Sequence, residues 1–349
     1  VYKRQFDAYA AEYPAEAQEF NRVLAGNLPD GWEASLPTFT TDDKAEATRA
    51  WGGEVINAFA PSVPEFVQGA ADLSGSTKTA IKDAGDVSAE DFSGRNIYFG
   101  VREHGMGAIA NGMTAHGGLR VACSTFFQFY DYMKNTVRLA ALMQLGTIFV
   151  YTHDSIGLGE DGPTHQQVEN LAALRAIPNL VTFRPADGNE VAGAWRVALE
   201  RTDGPTALVL SRQGMPNVGG SGDVSRGAYV VADGDDAVLL GTGSEVQVAL
   251  GARDLLASEG VNARVVSIPS FELFRAQDQA YRNSILPPDI IARVSVEAAT
   301  SFGWHEWVGD GGAIVGVDRF GESAPAAAVM QDLGITAERV ADVTRGVLG

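Results

Sequence analysis

The chain has 349 residues, of which 45% are hydrophobic and 20% are charged, a composition that predicts two globular domains, each able to bury a core. The formal net charge of -18 argues against nucleic acid or an anionic membrane surface as a partner. No apolar run approaches the roughly 20 residues that span a bilayer, and the N-terminus lacks the pattern of an export signal. Together with a single cysteine, Cys123, this predicts a cytoplasmic location.

The first part of the chain predicts an arm and then an α/β domain. In residues 1–37, turns rich in Pro and Gly interrupt one short amphipathic stretch, 15–24, which indicates a peripheral arm. Short runs rich in Val, Ile and aromatic residues then predict buried strands at 96–101, 120–124, 147–151, 180–183 and 206–210. Helical stretches such as 131–145 and 189–200 separate them. This alternation predicts a mostly parallel sheet covered by helices, with domain bounds of about 38–216.

The second part of the chain predicts a linker and a smaller α/β domain. Residues 217–226 lack any apolar period and indicate the linker. Beyond it, strands are predicted at 237–240, 264–268, 292–296 and 313–317, within a domain covering 227–349. The turn at Gly241 and Gly243 suggests a dinucleotide fingerprint, but Val246 replaces the third glycine and excludes it. Ser244 with Gln247 instead predicts a helix capping box.

Polar and aromatic side chains follow the first two predicted strands, where ligands of open parallel sheets bind. Glu103 comes just after the first strand, and it could equally be a solvated or ion-paired loop carboxylate. Phe126, Phe129 and Tyr132 follow the second strand at the i, i+3, i+6 spacing of one helical face. Such a stripe is either plain core packing or the wall of a pocket, and spacing alone leaves both open.

The loop after the third predicted strand is poor core material, because it combines His153 and His165 with several acids and glycines. Its spacings do not match a helical zinc motif, and one cysteine excludes a thiolate cluster. His165 and Asp161 could serve a serine hydrolase, but no G-x-S-x-G elbow supplies the nucleophile. We therefore expect this loop to bind a ligand.

Taken in order and spacing, these motifs resemble those of the transketolase family. The matching segments are residues 47–49, 71–73 with Ser76, 100–104, 124–126, 151–155, 159–166, 210–213 and 318–325. The resemblance covers roughly residues 14–349, and its most specific motif is 159–166. It implies a thiamine diphosphate-binding fold followed by the C-terminal domain of that family.

The resemblance also implies how this chain would hold the cofactor, thiamine diphosphate. Glu103 would be the catalytic carboxylate that hydrogen-bonds to N1′ of the aminopyrimidine and so helps to activate thiazolium carbon 2. Phe126, Phe129 and Tyr132 would form the pocket for the flat pyrimidine ring. The residues expected beside the cofactor also include Asp72 and Leu73, although Asp72 could instead cap a helix.

The same resemblance implies transfer of a two-carbon ketol unit from a ketose phosphate to an aldose phosphate. Asp161 and His165 would contact the hydroxyls of the sugar phosphate, with His165 also taking part in catalysis. The residues expected to bind its phosphate are Arg49, Ser76, His153 and Arg212. Arginine suits this role because it forms paired, charge-assisted hydrogen bonds with phosphate.

One part of the family's site is expected to lie elsewhere. In the family, an N-terminal domain with a Gly-Asp-Gly motif and a later Asn holds the diphosphate and its Mg²⁺ or Ca²⁺, and no Asn follows Gly309-Asp310-Gly311 in this chain. We therefore expect no metal ligands here, an inactive isolated chain, a homodimer, and possibly a separate N-terminal diphosphate-binding subunit. Two alternatives remain at this point: the beta chain of the decarboxylating component of a 2-oxo acid dehydrogenase, and a non-catalytic dimerising remnant.

Overall fold

Two open sheets and their covering helices organise the chain, and the computed structural model describes residues 2–220 and 223–349. Residue 1 of the predicted arm and residues 221–222 of the predicted linker lie outside that part. The helices are α1 (Tyr2–Glu12), α2 (Pro14–Leu24), α3 (Thr48–Phe59), α4 (Ser74–Thr77), α5 (Glu103–His116), α6 (Tyr130–Leu142), α7 (Asn170–Arg175), α8 (Gly188–Glu200), α9 (Glu245–Ala257), α10 (Phe271–Arg275), α11 (Gln279–Ile285), α12 (His305–Val308), α13 (Ala326–Asp332) and α14 (Ala337–Leu348). The strands are β1 (Glu46–Ala47), β2 (Phe66–Ala70), β3 (Asn96–Tyr98), β4 (Arg120–Phe126), β5 (Ile148–Thr152), β6 (Val181–Phe183), β7 (Thr206–Leu210), β8 (Gly214–Met215), β9 (Tyr229–Ala232), β10 (Ala237–Gly241), β11 (Ala263–Ser267), β12 (Arg293–Val296) and β13 (Ala313–Val315).

The first large sheet has the order β3-β2-β4-β5-β7-β6 and is parallel throughout, which confirms the predicted α/β architecture. Its strand β2 was not predicted, because Gln68 and Gly69 interrupt the apolar run. Both residues have local reasons to be there. The Gln68 side chain donates to Asn96 Oδ1 at 2.7 Å, and a Cβ at Gly69 would overlap the ring of Phe99.

The core of the first domain lies on both faces of this sheet. Along β5, Ile148 and Val150 pack into the cluster beneath α3 and α8, while Phe149 and Tyr151 pack into the cluster beneath α5 and α6. Successive side chains of a strand point to opposite faces, so a strand covered on both sides is apolar throughout. This explains why the predicted strand over residues 147–151 matches the structure to within one residue.

The second sheet has the order β13-β12-β10-β11-β9, in which only β9 runs antiparallel. The four predicted strands of this domain are confirmed, with end positions that differ by one or two residues. The predicted capping box at Ser244 is wrong. Ser244 has helical dihedral angles and caps no backbone N–H, and its hydroxyl instead donates to the Glu245 carboxylate at 2.5 Å.

The arm is more helical than the sequence indicated. Helix α2 begins at Pro14, close to the predicted stretch 15–24, and α1 precedes it without burying any residue. Further along, Trp32 is buried against the core of the first domain. Among the helices of the described residues, none combines the length and hydropathy that a membrane span requires.

Candidate functional site

The carboxyl ends of β2, β4, β5 and β7 bring the predicted phosphate-binding side chains into one place. Reciprocal hydrogen bonds between Thr48 and Ser211 tie the start of α3 to the end of β7, so Arg49 and Arg212 become neighbours. The Arg49 guanidinium donates to the Ser76 carbonyl at 2.6 Å and lies 3.2 Å from Nε2 of His153. The structure therefore groups residues that are up to 163 positions apart in the chain.

His153 is the buried centre of this group. Burial, and then the positive charges of Arg49, Arg212 and His165, lowers the pKa of His153 to about 3, so its ring is neutral at physiological pH. Arg49 can only donate, so Nε2 accepts, and Nδ1 carries the proton and donates to Thr152 Oγ1 at 2.9 Å. The backbone of His153 is left-handed, with φ 61°. This conformation is costly for a residue other than glycine and is most often found at functional sites.

The two arginines of this group lack carboxylate partners. Burial, followed by the charge of Arg212, lowers the pKa of Arg49, and Arg212 is exposed. Within residues 2–220 and 223–349, no ion pair joins either arginine to an acid. Clustered cations repel one another, so this arrangement suits an anionic ligand that would relieve the repulsion. We call this group the cationic cluster after its two cations, Arg49 and Arg212; it also includes the neutral His153 and the adjacent His165.

A row of aromatic rings borders the cationic cluster, but it is not the single helical face expected from the sequence. Phe126 ends β4, Phe129 lies in a 3₁₀ turn, and Tyr132 is in the first turn of α6. The rings still stack, with centroids 6.0 Å apart between the two phenylalanines and 6.1 Å apart between Phe129 and Tyr132. Tyr132 is 66% exposed, so the row forms an accessible aromatic wall.

The two histidines of the cationic cluster contact this aromatic wall. The His153 ring lies against Phe126 with centroids 3.6 Å apart. The His165 ring meets Phe129 edge-on at 5.5 Å, and its Nδ1 is 2.9 Å from Thr164 Oγ1. The cationic and aromatic surfaces therefore form one continuous site.

Within the described part of the chain, four predicted residues make no hydrogen bond, ion pair or ring contact with the cationic cluster: Asp72, Leu73, Glu103 and Asp161. Glu103 begins α5, where the helix dipole favours a carboxylate; it is 8% exposed, and its side chain makes no hydrogen bond within the described part of the chain. Asp161 is exposed in the loop after β5. Asp72 is exposed with φ 63°, and it does not cap α4, because the capping position belongs to Leu73 and has no side-chain cap.

A second charged group, which was not predicted from the sequence, lies where the two domains meet. Arg184 Nε donates to Asp154 at 2.9 Å, and Nη1 pairs with Glu245 of the second domain. Glu297 accepts two hydrogen bonds from Arg175, both 2.8 Å long. Burial opposes ionisation of Glu297, but Arg175 and Arg184 outweigh it and lower its pKa to about 2. We call these five residues the junction cluster.

A further buried carboxylate, Glu190, also bridges the domains. It accepts hydrogen bonds from Tyr229 at 2.8 Å and from Ser267 at 2.6 Å. Burial, and then the charge of Asp187, raises the pKa of Glu190 to about 7. Polar residues follow the predicted strands 180–183 and 237–240, and they could have indicated both interdomain contacts. Their partners, however, cannot be identified from sequence spacing.

No metal site was found in the described part of the chain, where no three His, Cys, Asp or Glu side chains are arranged to hold an ion. Gly309-Asp310-Gly311 occupies the turn between α12 and β13. This is far along the chain from the cationic cluster and in the other domain.

Comparison with known proteins matches both domains. The family model for the transketolase pyrimidine-binding domain covers residues 44–218, and that for the transketolase-like C-terminal domain covers 227–336. A transketolase of Halalkalibacterium halodurans is 49% identical over 351 residues, which are 98% of this chain and 53% of the relative. The chain thus spans about half the length of the curated relatives it matches.

Two solved structures are informative. A transketolase from Pichia stipitis in complex with sedoheptulose 7-phosphate is 40% identical and has a TM-score of 0.96, over 99% of this chain and 52% of that one. A split-gene transketolase, described as an inactive beta4 tetramer, is 27% identical and has a TM-score of 0.73, over 86% of this chain and 98% of that one.

Proposed function

Because this chain belongs to the transketolase family, we propose that it forms half of a thiamine diphosphate-dependent transketolase. It would help to transfer a two-carbon ketol unit from a ketose phosphate to an aldose phosphate. The observation that supports this most is the cationic cluster, which has no carboxylate partners and adjoins an aromatic wall. A non-catalytic remnant would have no need to keep Arg49 half-buried and unpaired.

The cationic cluster fits the phosphate of a sugar phosphate. Arg49 and Arg212 would donate charge-assisted hydrogen bonds to its oxygens, and the Ser76 carbonyl already orients Arg49. His153 is neutral and donates Nδ1–H to Thr152, so it would orient Arg49 rather than add charge. Asp161 and His165, on the loop after β5, would contact the hydroxyls.

The aromatic wall and Glu103 fit the aminopyrimidine of the cofactor. The flat row of Phe126, Phe129 and Tyr132 offers a stacking surface for a heteroaromatic ring, and the Glu103 carboxylate has no partner within the described residues. When bound, thiamine diphosphate supplies the nucleophilic thiazolium carbon that carries the ketol unit. Glu103 would hold a proton at N1′ of the pyrimidine, and Asp72 and Leu73 would lie beside the cofactor.

The diphosphate and the Mg²⁺ or Ca²⁺ would be held by another polypeptide or by a further part of this one. Similarity to almost the whole of a split-gene transketolase chain supports the proposal of a half-chain, and that assembly's description as inactive supports the proposal that this half alone is inactive. We further propose a cytoplasmic homodimer in which residues 38–216 and 227–349 form the two domains, joined by 217–226 and preceded by the arm.

Reconstitution tests the proposed function. We expect the chain alone to convert no xylulose 5-phosphate, and we expect ketol transfer after it is mixed with a diphosphate-binding half and Mg²⁺. Turnover by the pure chain would contradict the proposal, as would inactivity of a mixture in which both halves bind each other.

Replacing Glu103 by Gln tests its role in the reconstituted enzyme. We expect Glu103→Gln to abolish ketol transfer and to leave thermal stability unchanged, because an amide cannot be the ionised partner of N1′. Deuterium exchange at thiazolium carbon 2 measures the affected step directly. Glu54→Gln, an exposed change on α3, is the control and should exchange at the unmodified rate. Exchange at that rate in Glu103→Gln would disprove the role.

A further inference from the structure

A loop of the second domain lies directly on the loop that carries Asp161 and His165. We call residues 318–325 the buttress loop and residues 155–166 the site loop. The Gln166 side-chain amide donates to the Glu322 carbonyl at 2.9 Å and to the Gly159 carbonyl at 2.8 Å. Ser323 Oγ donates to the Glu160 carbonyl. Each proposed sugar-binding residue thus lies next to a residue that the second domain contacts.

Glycines on both loops make this close approach possible. Gly159 and Gly162 have left-handed backbones, with φ 90° and 75°. A Cβ at Gly162 would lie 2.9 Å from Ser323 Cβ, and one at Gly159 would lie 3.1 Å from the backbone N of Ala326. Gly321 is outside the left-handed region, and a Cβ there would overlap Oε1 of Gln166. At Gly321, therefore, only the packing requires glycine.

We propose that the buttress loop positions the site loop for sugar binding, so that the second domain sets the affinity for the sugar phosphate. This rests on the proposed function. The His165 ring lies edge-on to Phe129. The next residue, Gln166, is hydrogen-bonded to both loops through its side-chain amide. Displacing the Gln166 side chain moves His165 relative to the aromatic wall. Small displacements of the groups that hold a substrate weaken its productive binding markedly.

Gly321→Ala tests the proposal without changing the sequence of the site loop. The added methyl group displaces the Gln166 amide, whereas Gly346→Ala is the matched control, because nothing lies within 4 Å of a Cβ at Gly346 in α14. Ser323→Ala removes the other contact from an exposed position, so it should fold even where Gly321→Ala does not. All three are made in the full chain.

The first readout needs no activity. Histidine imidazole signals are recorded by NMR for the five histidines, and the Phe129 ring current marks His165. We expect Gly321→Ala, and to a lesser degree Ser323→Ala, to shift the His165 signal, while His116 is unchanged and Gly346→Ala shifts neither. An unshifted His165 signal in both folded buttress-loop variants would overturn the proposal.

The second readout is kinetic and uses the reconstituted enzyme. Because Gly321→Ala weakens positioning by roughly one hydrogen bond, we expect about a tenfold rise in KM for xylulose 5-phosphate. Any fall in kcat from the shift of His165 should be smaller than this rise. An unchanged KM would overturn the proposal. Reconstitution that yields no activity with the unmodified chain would count against the proposed function instead, and the NMR readout would still decide this inference.

Discussion

Two charged clusters lie near the carboxyl edge of the first sheet, and they differ in how their cations are paired. In the junction cluster, two arginines face three carboxylates, and Arg184 is 1% exposed. In the cationic cluster, Arg49 and Arg212 have no carboxylate within the described residues. These arginines are not neutralised, and their charges add to burial in lowering the pKa of His153.

We propose that this difference separates a structural role from a binding role. Buried charges are tolerated where partners and hydrogen bonds satisfy them, because an unpaired buried charge is very costly. Cations that are left unpaired at an accessible edge gain a partner only when an anion binds. His153 belongs to the cationic cluster and Asp154, the next residue, belongs to the junction cluster. The two clusters therefore meet between adjacent residues of the chain.

The largest expected effect comes from breaking the junction cluster. Arg184→Ala leaves Asp154 and Glu245 buried without their cation, and we expect a loss of about 3–5 kcal/mol in the free energy of unfolding. Urea denaturation measures this. Arg196→Ala, which removes an exposed pair with Glu200, is the control and should change stability by less than about 0.5 kcal/mol. Equal, small losses in both variants would show that the junction cluster is not structural.

The cationic cluster should respond in the opposite way. Arg49→Ala and Arg212→Ala should leave stability nearly unchanged and weaken phosphorylated sugars by about ten- to hundredfold, which corresponds to about 1.5–3 kcal/mol for each charged hydrogen bond. Unphosphorylated sugars should be affected far less. Measuring KM for both kinds of sugar in the reconstituted enzyme checks this, and equal losses for both would make these arginines structural.

The pH dependence of stability should separate the site from the domain junction. The folded pKa of His153 is about 3, below its ordinary value of 6.5. Between these values the unfolded chain binds more protons, so this group lowers stability as pH falls. The folded pKa of Glu190 is about 7, above its ordinary value of 4.5, so this group lowers stability as pH rises through that window.

Two substitutions test these opposite slopes. We expect His153→Gln to make the fall in stability between pH 6.5 and 3 shallower. We expect Glu190→Gln to remove a fall between pH 4.5 and 7, with each slope changing by at most about one proton. Urea midpoints measured across pH 4–8 provide the data. Parallel profiles for both variants and the unmodified chain would contradict these assignments.

The smallest effect on stability is expected at the aromatic wall. Phe129→Ala should change unfolding little and raise the thiamine diphosphate concentration needed for half activity, because the ring lines a surface. Phe127→Ala is the matched control: Phe127 is fully buried, and its loss should cost about 3–5 kcal/mol. Thermal melts and cofactor titrations on both variants distinguish the roles, and a similar destabilisation in each would mean that Phe129 is core.

The grouping of His153 and Arg212 could be expected from the sequence because both follow the ends of parallel strands, and those ends meet at one edge; Arg49 joins them because Thr48 is hydrogen-bonded to Ser211. The roles of Arg184 and Glu190 could not be predicted because their partners Glu245 and Tyr229 lie in the other domain, at distances along the chain that no local pattern encodes. The strand at Phe66–Ala70 escaped notice because Gln68 and Gly69 serve tertiary contacts. Ser244 resembles a helix cap in the sequence, but its hydroxyl donates to the carboxylate of the next residue, Glu245, and caps no backbone N–H of the helix.

The junction cluster also bears on how the molecule melts. Arg184 pairs with Asp154 inside the first domain, but its pair with Glu245 and the pair of Arg175 with Glu297 form only while both domains are in contact. Separating the domains would break these charge-assisted hydrogen bonds, so the stability of each domain is linked to that of the other. The two domains should therefore denature in a single calorimetric transition, and a fragment that ends at the linker would lose the partners that make its buried arginines tolerable.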